Sequence, residues 1–334
     1  MQLEALPTLL MTKRLQTYVR DTRQDLDATR IEAVTGFAAD RAAKVNGDIG
    51  HVRKLEKLLS DGEQHLQAIA HFKADASVVQ LSLDQTREVV SKLQFDVQSA
   101  VSLKNEEGVK AAATTAREEL EALFGRLNAT HAGRYLFSGA KTDTPPLKDV
   151  DTMLAQVKSR LVGPAASTID SAMDLYFDDP TGVFQTSIYQ GSSTSNAPSR
   201  EVDHGRRVGI EIKAVDQSVR DTIRALAVIA LAPETIGDAD LRDAVLEDNA
   251  NLAGSAAIQL TQEQTKLGAQ EGVAAQLEAR HNGAAETLQT ELLDLLAVDQ
   301  YEAASRMNNL ETQLEAAYLT TQRIQQLTLL NYLR

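Results

Sequence analysis

The chain has 334 residues, enough for two or three compact domains, yet only 4% are aromatic and none is Trp, which suits thin helical bundles better than thick globular cores. A formal net charge of −13 and a pI near 5.0 argue against general nucleic-acid binding or attachment to anionic membranes, both of which need a basic face. With no cysteine and no apolar run of 18 residues, disulfides, thiolate metal sites, cysteine nucleophiles and a membrane-inserted helix are all excluded.

Apolar residues reach 43%, so the chain has the means to fold. The opening stretch lacks a basic segment followed by a long apolar run and a small-residue cleavage site. Export by a cleaved signal peptide is therefore not expected.

The first predicted helix runs from Thr12 to about Thr35. Leu15, Val19, Thr22, Leu26, Thr29 and Ala33 alternate at steps of four and three, which is heptad spacing. Thr and Ala at several of these positions make the seam weak, and such a helix is marginal on its own. Gly36 is placed to end it. A far stronger seam follows: Val52, Leu55, Leu59, Gly62, Leu66, Ile69, Phe72, Ala76, Val79, Leu83, Thr86, Val90, Leu93, Val97 and Ala100. A helix from His51 to Lys104 would span roughly 80 Å. Its apolar period near 3.5 residues implies left-handed supercoiling against a partner helix. After a break at Glu107–Gly108, a second seam takes in Ala116, Leu120, Leu123, Leu127 and Thr130.

Between Gly133 and Gly209 lie five of the seven prolines, together with β-prone runs at Arg134–Phe137, Gly182–Tyr189 and Arg207–Lys213. A short helix is predicted over Asp149–Leu161, and the region reads as a small β-rich insertion. Helical pattern resumes at Ala214, with Ser218, Ile223, Leu226 and Ile229 on one face as far as Pro233. Asp240 is placed to cap the next helix, in which Gly254, Gly268, Gly272 and Gly283 are candidate bends. A last seam comprises Ala303, Met307, Leu310, Leu314, Ala317, Thr321, Ile324 and Thr328, before an apolar ending, Leu327–Leu330 followed by NYLR.

The expected fold is mainly α, an elongated antiparallel coiled-coil rod made by the N- and C-terminal arms, with the β-rich domain inserted. The expected boundaries are an N-terminal assembly helix over 1–45, rod halves over 46–140 and 211–287, the insertion over 141–210 and a C-terminal assembly helix over 288–334.

Three segments carry a family resemblance. AGRYLFSGAKTDTPPL (Ala132–Leu147), YQGSSTSNAPSREVDHGRRVGIEIKA (Tyr189–Ala214) and YEAASRMNNLETQLEAAYLTTQRIQQLTLLNYL (Tyr301–Leu333) resemble the hook-associated protein 3 family of the flagellin superfamily. At residues 36–48, GFAADRAAKVNGD departs from the Asp-Asp-Pro signature common in flagellins. The resemblance implies a structural protein, not an enzyme, located at the hook–filament junction of the extracellular bacterial flagellum. It implies type III export, hook-associated protein 1 and flagellin as partners, copies of the chain in a ring, and an export chaperone. In that family the terminal helices pack against neighbouring subunits. The expected mechanism is coupled folding: about the first 40 and last 45 residues order when sandwiched between neighbours. The expected interface residues are Leu15, Val19 and Leu26 in the first arm, and Leu310, Leu314, Ile324, Leu327, Leu330 and Tyr332 in the last. The alternative for each is packing within the chain alone.

No cofactor, metal or catalytic site is expected. His51, His65, His71, His131, His204 and His281 include no pair at helical ligand spacing; His65 and His71 are six apart and are read as solvent-facing. Glu106–Glu107 and Asp178–Asp179 are explained by helix ends and turns. Ser138 and Ser192–Ser193 lack the glycines of a nucleophile elbow. Rival readings are flagellin itself, a cytosolic coiled-coil scaffold, or an enzyme borne on the insertion.

Overall fold

The computed structural model describes residues 5–332, with side chains described over 10–323 apart from Thr12. The chain divides into two compact units, Met1–Glu63 with His281–Arg334, and Gln64–Arg280.

In the first unit, α1 (Ala5–Thr35) packs against α9 (Gln300–Tyr332). The pair is antiparallel: Gly36 lies beside Gln300, while the Tyr18 hydroxyl donates to Gln313 Oε1 at 3.2 Å. As far as side chains are described, through Thr321, the expected seam is the one observed. Thr22, Leu26 and Thr29 of α1 are buried with Ala303 and Ala317 of α9, and Leu15, Val19, Leu310 and Leu314 are half-buried beside them.

Gly36 ends α1 as the sequence predicts, at φ +74°, a left-handed conformation that costs glycine nothing. Immediately after it the chain extends and forms a short antiparallel clasp. Ala38 N donates to Leu296 O and Val298 N to Gly36 O, both at 2.9 Å. Asp299 then caps α9 by accepting from Tyr301 N at 2.8 Å. The short α2 (Arg41–Lys44) is capped by Asp40, which accepts from Ala43 N at 2.9 Å.

The two longest helices, α3 (Ile49–Ser102) and α8 (Ala239–Leu296), contribute to both units. Of the fifteen α3 seam positions, all are buried except Leu59, Gly62 and Leu66, which are half-buried. Within the second unit α3 and α8 are antiparallel. Lys73 Nζ meets Glu278 Oε2 at 2.8 Å, Gln80 Nε2 reaches Gln264 O at 3.0 Å, and Gln98 Nε2 reaches Asn251 Oδ1 at 3.0 Å. Helix α8 continues unbroken through Gly254, Gly268, Gly272 and Gly283. Its cap is Asp238, accepting from Leu241 N at 2.9 Å, and Asp240 falls in the first turn.

Helix α4 (Glu106–Leu127) begins after a break centred on Lys104 (φ 49°), with Asn105 capping at Gly108 N. The predicted break at Glu107–Gly108 therefore lies inside its first turn. Ala116, Leu120, Leu123 and Leu127 are buried as expected, while Thr130 lies exposed in the following strand. Helix α7 (Gln217–Thr235) is the centre of the second unit. It packs against α4 and also against α5 (Val150–Lys158) and α6 (Ala166–Phe177), so it is buried on nearly every face.

The insertion has two antiparallel hairpins, β1 (Thr130–His131) with β2 (Arg134–Tyr135) and β3 (Arg200–Asp203) with β4 (Arg206–Val208). The run Gly182–Tyr189, read as a strand, instead forms a turn of π-helix at Phe184–Ile188. Its two fully buried side chains, Phe184 and Ile188, are four apart, which a helical turn brings to one face; an alternating strand would have buried Thr186 with them. The aromatic residues concentrate here. Phe177 meets Tyr176 edge-on at 4.8 Å and Phe184 at 5.3 Å, in a core thick enough to hold them.

Candidate assembly surface

The described seam residues of α1 and α9 face each other, and further apolar side chains of both helices lie off that seam and stay largely in contact with solvent. Leu10, Met11, Tyr18, Ile31 and Val34 on α1, and Tyr301, Tyr318 and Leu319 on α9, are all exposed, Val34 at 77% and Tyr301 at 85%. Between the helices Val19, Arg20, Arg23, Asp27, Tyr318 and Thr321 line an open groove of about 390 Å³. Its floor is apolar, through Val19 and the Tyr318 ring, and its rim carries both signs of charge. Arg30 meets Glu311 across the same pair at 3.2 Å. An apolar floor with a charged rim suits a helix or side chain from a neighbouring chain.

Of the interface residues expected from sequence, Leu26 is 6% exposed and Leu15, Val19, Leu310 and Leu314 are half-buried on the α1–α9 seam. Their packing is therefore satisfied within the chain to a large degree. Ile324, Leu327, Leu330 and Tyr332 lie outside the residues whose side chains are described. These exposed residues were missed because they lie off the heptad seam that the sequence pattern traces. One signal was available: Tyr301 and Leu319 are eighteen apart, five whole helical turns, and share a face.

Charged side chains are buried in the second unit. Asp75 on α3, its side chain 8% exposed, accepts from His131 Nδ1 at 2.7 Å, Arg134 at 2.8 Å and Arg200 at 3.0 Å, tying both hairpins to the helix. Burial alone would raise its pKa. Hydrogen bonds from His131 and Arg200, and the charges of Arg134 and Arg200, outweigh that and hold it below the ordinary carboxylate value. Arg224 of α7 pairs with Asp170 and Asp174 of α6 and lies 3.6 Å from Asp178. Burial raises the pKa of Asp221, despite hydrogen bonds from Gln217 and Gln259. The charges of these clusters serve contacts between elements. Asp178 and Asp179, read as turn residues, follow α6, and Asp178 also serves Arg224 and Arg220.

The histidines divide differently from the sequence reading. His131 bonds Asp75, and His51 meets Glu291 at 3.1 Å. His65, read as solvent-facing, is half-buried against the ring of His204. Among the described residues no helix is long and apolar enough to cross a membrane.

Residues 250–333, most of α8 and the whole of α9, match the family model of the bacterial flagellin C-terminal helical region. Among solved structures, a chain from Vibrio parahaemolyticus assigned as a flagellar hook-associated protein is 14% identical, over 75% of this chain and 99% of that one, with a TM-score of 0.51. FlgL from Bacillus cereus is 15% identical over 70% of this chain and 98% of its own, with a TM-score of 0.48. No curated protein matches. The first of these structures shows a shared fold.

Proposed function

We propose that the chain is a structural, non-catalytic subunit of the bacterial flagellum, placed at the junction between hook and filament. The observation that carries this reading is the coincidence of two features in α9. The helix matches the flagellin C-terminal model, and among the described residues it leaves Tyr301 85% and Leu319 62% exposed.

In this reading residues 1–45 and 288–334 carry assembly, 46–140 and 211–287 are the framework between, and 141–210 is an outer module. Hook-associated protein 1 and flagellin are the partners on either side, further copies of the chain complete a ring, and a chaperone guards the terminal helices before type III export. Leu15, Val19, Leu26, Leu310 and Leu314 set the α1–α9 pair, and Ile324, Leu327, Leu330 and Tyr332 extend the contact surface. The flagellin C-terminal match equally favours a second reading, in which the chain is the filament subunit itself.

The two are separated by adding purified protein to isolated hooks capped with hook-associated protein 1, and to short flagellin filaments, followed by negative-stain electron microscopy. One short extension on capped hooks, lost when residues 301–334 are removed, is the expected result. Long filaments growing from flagellin seeds would establish the filament reading. Binding to neither would defeat both and favour a cytosolic coiled-coil scaffold.

A further inference from the structure

Two guanidinium groups of the second unit converge on one carboxylate oxygen. Arg134 of β2 and Arg200 at the start of β3 both donate to Oδ2 of Asp75 on α3, at 2.8 and 3.0 Å. Sharing that oxygen keeps the two bonded nitrogens within about 6 Å of each other, the sum of the two distances. Asp75 therefore sets one negative charge against two positive ones, before any charge on His131 at its other oxygen is counted. Among the described residues neither arginine pairs with another carboxylate. The acids of the β3–β4 hairpin are committed elsewhere, Glu201 to Arg207 and Asp203 to Arg280. The arginine side chains are only 33% and 28% exposed, and surplus like charge that is partly withdrawn from water is costly without a counter-ion.

The donors for such an ion are present. A guanidinium carries five N–H groups, and Asp75 occupies a single nitrogen of each arginine. Both arginines line a pocket of about 20 Å³, together with Phe72, Tyr135 and Thr142. A space of that size seats one oxygen atom, as it would one water, and leaves the rest of the molecule that bears it at the mouth. The frame stands without an occupant. Arg200 is fixed by strand pairing with Val208, and beside the pocket Tyr135 N donates to Thr142 O at 2.8 Å.

We propose that Arg134 and Arg200 form an oxyanion site, which takes one oxygen of a sulfate, phosphate or carboxylate group into the pocket and fastens both hairpins to α3. Guanidinium suits this role because its planar N–H donors match the geometry of oxyanions and its charge persists at any physiological pH. The bound anion supplies the negative charge that Asp75 alone does not, and so relieves the repulsion between the two arginines. This proposal stands apart from the flagellar reading.

The test titrates the full chain with Na₂SO₄, against NaCl at matched ionic strength, by calorimetry and by the NMR resonances of arginine Nε–H groups. Wild type is compared with Arg134→Gln, Arg200→Gln and Arg206→Gln, the last an exposed arginine of the same hairpin. One sulfate per chain is expected, with the Arg134 and Arg200 resonances moving together and that of Arg206 still. Either substitution at the site lowers affinity at least tenfold, and Arg206→Gln leaves it unchanged. Arg134→Lys, which keeps the charge and loses the fork, retains part of it. The thermal midpoint rises more with sulfate in wild type than in the Arg134→Gln/Arg200→Gln double variant, the general effect of the salt being common to both. Tighter binding of acetate than of sulfate assigns the site to carboxylates, and the reverse order assigns it to inorganic oxyanions. No saturation beyond the NaCl control, or affinity that survives in the double variant, overturns the proposal. Circular dichroism checks the fold of each variant, and the wild-type titration decides the matter alone where a variant fails that check.

Discussion

Replacing Tyr318 by alanine separates folding of the chain from its assembly. The side chain is 45% exposed, on the edge of the groove between α1 and α9. A fully buried aromatic removes about 150–250 Å² from water, so about 70–110 Å² of this one remains for a neighbouring subunit to cover. At about 25 cal/mol per Å² that area is worth about 1.7–2.8 kcal/mol, or roughly 20- to 100-fold in an assembly constant. In the free chain the same substitution removes only a partly buried ring with no core neighbour to collapse, and the expected loss is below about 1 kcal/mol. The assay pairs thermal unfolding of the free protein with the concentration needed for incorporation onto capped hooks. The expected result is a nearly unchanged melting temperature and a concentration requirement raised by that factor. Incorporation at wild-type concentrations would refute the reasoning, and so would a melting temperature depressed as far as that of a core variant.

Leu26→Ala makes the complementary case: its side chain is 6% exposed on the α1–α9 seam, and its removal is expected to cost about 2–4 kcal/mol of first-unit stability, read as a lowered urea midpoint in that unit. Gly283→Ala should stabilise α8 by about 0.5–1 kcal/mol, because the glycine is interior to the helix and an added Cβ meets nothing within 4 Å; a loss would show that the helix bends there. Asp75→Asn should cost about 3 kcal/mol at pH 7 by leaving two guanidinium groups short of a counter-charge. Because the folded-state pKa of Asp75 is depressed, its contribution is complete above the unfolded value of about 3.9 and is lost as pH falls through the folded one. Urea midpoints of wild type and variant should therefore converge below about pH 4, and a gap constant down to pH 3 would refute the assignment.

The long seams were legible because burial along them repeats with the helical period. Val79, Leu83, Val90, Leu93 and Val97 face the core as the pattern requires. Helix α7 was read as having one apolar face, and periodicity reports a face only when the opposite one is solvated. Here α4, α5 and α6 surround the helix, so Arg220, Asp221 and Arg224, which look like a solvated stripe, are buried. Their partners were hidden for a related reason. Residues 162–177 were given no element, although Asp170, Asp174 and Asp178 recur at steps of four, the spacing of one helical face meeting Arg224. The clasp between Phe37 and Ala297 left no sequence signal, because its bonds are between backbone groups. The seam of the terminal helices was visible and their exposed apolar residues were not, since apolar side chains off a seam are common on helices and follow no period.

The makeup of that terminal seam has a dynamic consequence. Among described residues the buried positions of α1 and α9 are Thr22, Leu26, Thr29, Ala303 and Ala317, a single large apolar side chain among small ones. Small residues let two helices approach closely but remove little area from water, while α3 alone buries Ile69, Phe72, Val79, Leu83, Val90, Leu93 and Val97. Opening of the α1–α9 pair is therefore expected to require far less free energy than opening of the second unit. A neighbour that covers Val34, Tyr301, Tyr318 and Leu319 adds the missing burial, so assembly and ordering are coupled. Amide hydrogen exchange measures this directly. In the free chain, amides of α1 and α9 should exchange at least a hundredfold faster than those of α3 and α7, and incorporation onto hooks should slow them by a similar factor. Terminal helices already as protected as α7 in the free chain would mean that the seam suffices alone, and that assembly adds contacts without adding order.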